Sequence, residues 1–292
     1  MSKILFSIVI PTYNRADFID KTIQSLLKQT YLNFEIIVID DGSTDNTEEV
    51  VKAIKDNRIR YYKKENAERG AARNFGAYKA KGDYINFFDS DDLAYSNHLE
   101  TAYDVILDNN PNVFALHYDI KNTDNQIIRK GTPFKNINTQ LIDGNLLSCN
   151  GVFVKKEIAL KHPFSELREL SASEDYLLWL QLAANYTFKH CNTKTSAILE
   201  HDARSVLNIN KEVLIKRKQL MLQMALEDEA INNYYANSLN SLKINTYSYI
   251  SLHLVMAGYK KDGFKYLLKS LKSSPSFILK KRFFAIIKHL VC

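Results

Sequence analysis

Phe34-Glu35-Ile36-Ile37-Val38-Ile39-Asp40-Asp41-Gly42-Ser43-Thr44-Asp45 decides the fold. Its first half is a short, nearly continuous apolar run, the pattern of a strand buried on both faces. The run stops in an acidic turn whose Asp, Ser and Thr side chains suit a helix N-cap. Glu48 and Glu49 then fall in a first helical turn, where the helix dipole favours acids. The same unit recurs on either side. Ile4 to Ile10 is a strand stopped by Pro11, followed by a helical period over Phe18 to Leu27; Ile59 to Tyr62 precedes a helix over Arg69 to Lys79. Tyr84 to Phe88 ends abruptly in Asp89-Ser90-Asp91-Asp92. Apolar strands separated by helices imply βαβ units, and so an α/β fold with a mostly parallel central sheet flanked by helices. Ligands of such sheets bind beyond the carboxyl ends of the strands. Here those ends are Pro11 to Arg15, Asp40 to Asp45 and Asp89 to Asp92, and two of the three are acid-rich.

The pattern loosens after residue 113. Strands are predicted at Val113 to Tyr118, Gln126 to Arg129 and Gly151 to Val154, and a helix at Glu174 to Ala184. Beyond 211 only helices are read. The 292 residues are 46% hydrophobic, 25% charged and 11% aromatic, which excludes disorder, collagen and a disulfide mini-fold. The cysteines, Cys149, Cys191 and Cys292, are far apart and lack CxxC spacing, so a reducing compartment is expected. Ile4 to Pro11 is too short to cross a bilayer, has only Lys3 before it and no cleavage site after it. A soluble, cytoplasmic protein is the expectation. A net charge of +6 is too mild to argue for nucleic acid.

Asp89, Ser90, Asp91 and Asp92 form a hard-ligand cluster at a strand end. Carboxylates suit Mg²⁺ or Mn²⁺, which bind through one or two of them plus substrate phosphates. An EF-hand would need glycine at loop position six and glutamate at twelve, and both are missing. A haloacid-dehalogenase-like phosphatase would carry Thr or Val where Leu93 stands, and after its first strand. Neither GxGxxG after a strand nor GxxxxGK(S/T) occurs, so dinucleotide and Walker-type sites lack support. Tyr13 offers a stacking face, Asp41 a carboxylate for a base N–H, and Arg69 and Arg73 cations for phosphates. These residues alone reach a metal-dependent nucleotide binder.

Four segments in order, Ile8-Val9-Ile10-Pro11-Thr12-Tyr13-Asn14, Val38 to Asp45, Ala72-Arg73-Asn74 and Phe88 to Asp92, resemble the family 2 glycosyltransferases. The resemblance covers roughly residues 4 to 205. It implies a GT-A fold, inversion at the anomeric carbon and a nucleoside-diphosphate sugar, with UDP as the expected nucleotide. It places Pro11, Tyr13 and Asp41 on the base, with Asp40 shaping that loop. Arg73 falls near the diphosphate and Asp89 on ribose or sugar hydroxyls; Asn14, Arg69 and Ser90 are counted with the same donor site. Asp91 becomes the direct ligand of Mn²⁺ or Mg²⁺, with Asp92 beside it. The family's base opens a helix, as Glu174-Asp175-Tyr176-Leu177-Leu178-Trp179 does, and Asp175 takes that role with Glu174 as its neighbour. His201 sits where many members place a histidine near metal or diphosphate, although Asp202-Ala203-Arg204-Ser205 departs from the usual context.

The resemblance further implies a hexosyl- or N-acetylhexosaminyltransferase with a glycan or lipid-linked acceptor, in cell-surface polysaccharide synthesis. A catalytic domain is expected over 1–207, with a nucleotide-sugar half to about 112 and an acceptor half after it, then a helical region over 208–292. Two rivals stand beside this reading. One is a catalytically silent nucleotide-sugar-binding protein. The other, a sugar-phosphate nucleotidyltransferase, would need a glycine-rich loop with an arginine where Pro11-Thr12-Tyr13-Asn14 stands.

The last segment, 260–292, carries nine basic residues against Asp262 alone. On a wheel over Phe277 to Val291, Lys281, Arg282, Lys288 and His289 share one arc, while Phe283, Phe284, Ile286, Ile287, Leu290 and Val291 fill the other. Such a helix suits an anionic membrane surface, placing the protein peripherally on the inner face. It equally suits packing on the catalytic domain or on a second copy.

Overall fold

A computed structural model describes residues 4–131, 133–201 and 210–291. The N-terminal half alternates as expected: β1 (Phe6–Thr12), α1 (Ala16–Leu27), β2 (Phe34–Asp40), α2 (Thr47–Ala53), β3 (Ile59–Lys63), α3 (Glu68–Lys79) and β4 (Tyr84–Phe87). Every residue of β1, β2 and β4 is buried. Successive side chains of a strand point to opposite faces, so a sheet covered on both sides needs apolar residues at every position. Ile8 and Ile10 pack with Ile19 and Ile23 of α1 on one face, while Val9 joins Ile37, Ile39 and Ala72 of α3 on the other. A Cβ at Gly76 would come within 2.2 Å of Val9, so glycine there lets α3 lie flush on β1.

The chain continues through β5 (Leu93–Ala94), α4 (His98–Asn109), β6 (Val113–Asn122), β7 (Ile127–Lys130), α5 (Ile137–Gln140), β8 (Val152–Lys155), α6 (Lys156–Lys161), α7 (Glu174–Asn185) and β9 (Lys189–Glu200). The sheet order is β3-β2-β1-β4-β8-β6-β9-β5, with β7 paired to β6. It is parallel across β3, β2, β1 and β4. Beyond them it is mixed: β8 runs antiparallel to β4 and β6, and β6 runs parallel to β9. The long β9 was not anticipated. Its first six residues are almost all polar or charged and carry no strand signal, and pairing with β6 imposes the conformation.

Five helices follow: α8 (Lys211–Glu227), α9 (Glu229–Tyr234), α10 (Leu239–Met256), α11 (Lys260–Ser273) and α12 (Lys281–Val291). Met221, Leu222 and Ala225 of α8 join the same core cluster as Leu177 and Trp179 of α7. The boundary expected near 207 lies outside the described residues. Among those residues, no helix is long and apolar enough to cross a membrane.

The two-arc picture of α12 needs correction. Ile286 is fully buried with Val255, Leu267 and Phe277, and Phe283, Ile287 and Leu290 pack beside it. Phe284 and Val291, expected on that same apolar arc, are 62% and 80% exposed. Arg282 turns inward instead of joining an outer basic arc. Its guanidinium donates to Asn245 Oδ1 at 2.7 Å and Ser248 Oγ at 3.1 Å on α10.

Candidate active site

The loops after β1, β2 and β4 meet in a cleft of about 440 Å³, lined by Pro11, Tyr13, Asp41, Arg69, Arg73, Asp89, Ser90 and Asp91, together with Arg15, Asn66 and Arg168. Hydrogen bonds tie the first two loops together. Asn14 adopts φ +51°, its N–H donates to Ser43 Oγ at 2.9 Å, and its Oδ1 accepts from Thr44 N–H at 2.9 Å. Asp40 is fully buried, accepts from Ser43 N–H at 2.7 Å and from the Tyr61 hydroxyl, and so shapes the turn from behind. Gly42 takes φ +86°, a conformation that L side chains resist. The result presents Asp41 to the cleft. Asp41 Oδ1 accepts from Lys64 Nζ at 2.6 Å and Ala67 N–H at 3.0 Å, while the half-exposed ring of Tyr13 stands at the rim.

The acidic turn after β4 divides its carboxylates. Asp91 faces the cleft, where its Oδ2 lies 3.3 Å from both Arg15 Nε and His201 Nε2. His201 stacks on Phe18 at 4.3 Å, and its Nδ1 is buried without a partner. Asp92, expected beside Asp91 at the metal, points the other way. It is fully buried and accepts from Asn150 Nδ2 at 2.6 Å and Leu199 N–H at 2.8 Å, bracing the turn against β9. Asn150 also accepts from Asp89 N–H at 2.9 Å, so one buried amide orients both acids. Among the described residues no three His, Cys, Asp or Glu side chains gather as a cation cage. Asp91 and His201 fit a cation that takes its remaining ligands from phosphate oxygens and water. Residues 202–205 lie outside the described residues.

Arg73 joins the cleft to α7. Its guanidinium is buried, donating to Asp89 Oδ1 at 2.8 Å and to Glu174 Oε1 at 2.7 Å. Burial opposes its charge, but Cys149, Asp89 and Glu174 hold its pKa well above the ordinary value. Two carboxylates thus neutralise the cation expected near the diphosphate, and Arg73 positions Asp89 and the start of α7. Arg69, within 4.0 Å of Glu174 Oε1, and Arg15 and Arg168 are the more accessible cations of the cleft. Arg15 closes a loop already singled out; Arg168 follows an irregular stretch with no sequence signal.

The two acids opening α7 differ. Glu174 is buried, with Oε1 on Arg73 and Oε2 accepting from Ser173 N–H at 3.0 Å. Asp175 is half-buried, accepts from Asn145 Nδ2 at 3.0 Å and is not among the residues that line the cleft. Burial, and then the Glu174 carboxylate, push the Asp175 pKa above the usual carboxylate range. A poorly solvated carboxylate with a raised proton affinity is what a general base requires.

Residues 7–157 match the model of glycosyl transferase family 2. The chain belongs to this family. A UDP-Glc:alpha-D-GlcNAc-diphosphoundecaprenol beta-1,3-glucosyltransferase of Escherichia coli, WfgD, is 31% identical over 267 residues, 91% of this chain and 98% of that one. Among solved structures, residues 1–349 of Staphylococcus aureus TarS superpose with TM-score 0.69 at 20% identity, covering 98% of this chain and 88% of that one. A mannosyltransferase of Pyrobaculum calidifontis, in complex with GDP-Man and Mn²⁺, superposes with TM-score 0.63 at 15% identity, covering 98% and 84%. The sheet and its flanking helices are therefore the GT-A fold of family 2 transferases.

Proposed function

We propose that the protein transfers a sugar from a nucleoside-diphosphate donor, a UDP-sugar, to an acceptor hydroxyl with inversion. The observation that carries this reading is the line from Tyr13 and Asp41, through Asp89 and Asp91, to the acid pair across Arg73. The base stacks at Tyr13 and bonds to Asp41; ribose or sugar hydroxyls bond to Asp89. Arg15, Arg69 and Arg168 surround the diphosphate. Asp91 and His201 hold a divalent cation, Mn²⁺ or Mg²⁺, which when bound neutralises negative charge on the leaving diphosphate. Asp175 accepts the proton of the acceptor hydroxyl as that oxygen bonds to the anomeric carbon. The bond to the diphosphate oxygen breaks, and the nucleoside diphosphate leaves with its electron pair. One displacement inverts the centre, and no covalent nucleophile is needed.

The donor of the E. coli relative supports UDP-glucose, and its acceptor supports a sugar carried on a lipid diphosphate. A TarS structure holding UDP-GlcNAc, at TM-score 0.64, supports the same nucleotide. A lipid-borne acceptor fits a cytoplasmic protein that rests on the inner membrane face. Exposed Leu279, Phe284 and Val291 beside Lys280, Lys281 and Lys288 offer such a contact. Calorimetric titration with UDP-glucose and Mn²⁺ tests the donor reading. Binding that Asp91→Asn abolishes is expected; absence of binding by the wild-type protein contradicts it.

A further inference from the structure

Three cations of the C-terminal helices are partly withdrawn from solvent with no carboxylate in ion-pair contact. Arg217 and Lys218 on α8, and Arg282 on α12, surround Tyr249 of α10. None of them forms an ion pair among the described residues: Asp175 acts on Lys218, and Glu174 and Glu68 on Arg217, only from beyond contact distance, and Glu174 is committed to Arg73. Their contacts are neutral. Lys218 Nζ donates to Ser173 Oγ at 2.9 Å and lies 4.7 Å from the Tyr249 ring centre. Arg282 bonds to Asn245 and Ser248, and Arg217 Nε is buried with no partner at all. Lys216, one turn-step away, shows the ordinary alternative: 68% exposed and 3.5 Å from Glu169.

Burying an unpaired cation is costly, and burial duly pulls the pKa values of all three below their ordinary ranges. An anion seated among them would supply the direct pairing that Asp175, Glu174 and Glu68 do not. Their position says which substrate brings it. Ser173, held by Lys218, immediately precedes Glu174 and Asp175, so the cations lie on the α7 side of the base. The donor's diphosphate has its own cations, Arg15, Arg69 and Arg168, in the cleft.

We propose that Arg217, Lys218 and Arg282 form a second anion site, which holds the phosphate or diphosphate linking the acceptor sugar to its carrier. This rests on the transferase reading, with Asp175 facing the acceptor. The site accounts for acceptor selectivity: a phosphorylated acceptor is anchored by its linkage, while a neutral glycoside of the same sugar leaves the three cations without a contacting anion.

The test uses the full chain with UDP at saturation, so that the donor cleft is filled, and inorganic pyrophosphate as probe. The wild-type protein binds pyrophosphate under these conditions. Arg217→Gln/Lys218→Gln binds it at least about tenfold more weakly, the loss expected for charge-assisted hydrogen bonds, with UDP affinity unchanged. Its melting temperature holds or rises, because desolvated charges are removed; a purely structural role would lower it. Should the double variant fail to fold, Arg282→Gln carries the same expectation. In transfer assays Arg282→Gln, which contacts neither Ser173 nor Asp175, raises KM for a sugar diphosphate bearing a short alkyl chain and leaves kcat/KM for the neutral alkyl glycoside within about threefold. Undiminished pyrophosphate binding in the variants overturns the site. Loss of pyrophosphate binding with acceptor KM unmoved overturns its assignment to the acceptor. A protein that binds pyrophosphate through these residues but never binds UDP would refute the donor reading alone.

Discussion

The cleft of the sheet and the helical C-terminal region handle buried charge in opposite ways. At the strand ends each buried charge has a partner. Arg73 is held between Glu174 and Asp89, and Asp41 by Lys64. Around Tyr249 the cations bond only to neutral groups. The difference separates scaffold from site: paired charges hold loops in place, while unpaired ones await a ligand.

Breaking the paired side should cost most. Arg73→Ala leaves Glu174 buried without its cation, and a loss of about 3–5 kcal/mol is expected in denaturant unfolding. Stability within 1 kcal/mol of wild type would show that the pair is not structural. The two neighbouring aspartates of the acidic turn sharpen the contrast. Asp92→Ala strands the Asn150 amide and the Leu199 N–H, so about 1–3 kcal/mol of stability should go. Asp91→Asn should leave stability nearly intact and lose metal-dependent UDP binding. Calorimetry and melting curves on both variants decide whether brace and ligand are correctly distinguished.

Asp175 adds a pH signature. Its folded-state pKa is raised, so its ionisation disfavours the fold, and this contribution to stability falls as pH rises from the unfolded pKa through the folded one. Asp175→Asn should therefore melt no lower than wild type at neutral pH. Transfer should rise with pH along an acid limb above the usual carboxylate range, and a limb at or below that range would argue against this base. The smallest effects belong to the outer face of α12. Phe284→Ser should shift stability by about 0.5 kcal/mol or less, whereas Ile286→Ala, in the packed face, should cost about 2–5 kcal/mol. Co-sedimentation with anionic vesicles should weaken in Phe284→Ser, and equal sedimentation would remove the membrane role.

Much of the cleft was legible because its strands are buried on both faces and their apolar runs stop abruptly. The acidic turn could be seen, but not its division, since Asp91 and Asp92 are chemically identical and only partners distant in sequence, Arg15 and His201 for one and Asn150 and Leu199 for the other, separate them. The strand β9 was hidden because its first half is polar and its conformation comes from β6. In sequence Arg217 and Lys218 are two basic residues within the helical stretch beyond 211. Their significance arises from the missing partner, which is a property of packing and leaves no mark in sequence. Arg282 misled for the same reason: a wheel assigns it to an outer arc, while α10 offers it Asn245 and Ser248.

In the proposed reaction Asp175 takes the acceptor proton while Glu174 holds Arg73. Donor affinity and transfer rate, measured side by side for Asp175→Asn and Glu174→Gln, test it most directly. The amide at 175 keeps the shape but cannot accept the proton, so transfer should fall by about 10²–10⁴-fold, with UDP affinity within about 1 kcal/mol of wild type. Glu174→Gln should lose stability through Arg73 and retain the greater share of transfer. Near-full transfer in Asp175→Asn, with Glu174→Gln inactive but folded, would contradict the account and move the base to Glu174.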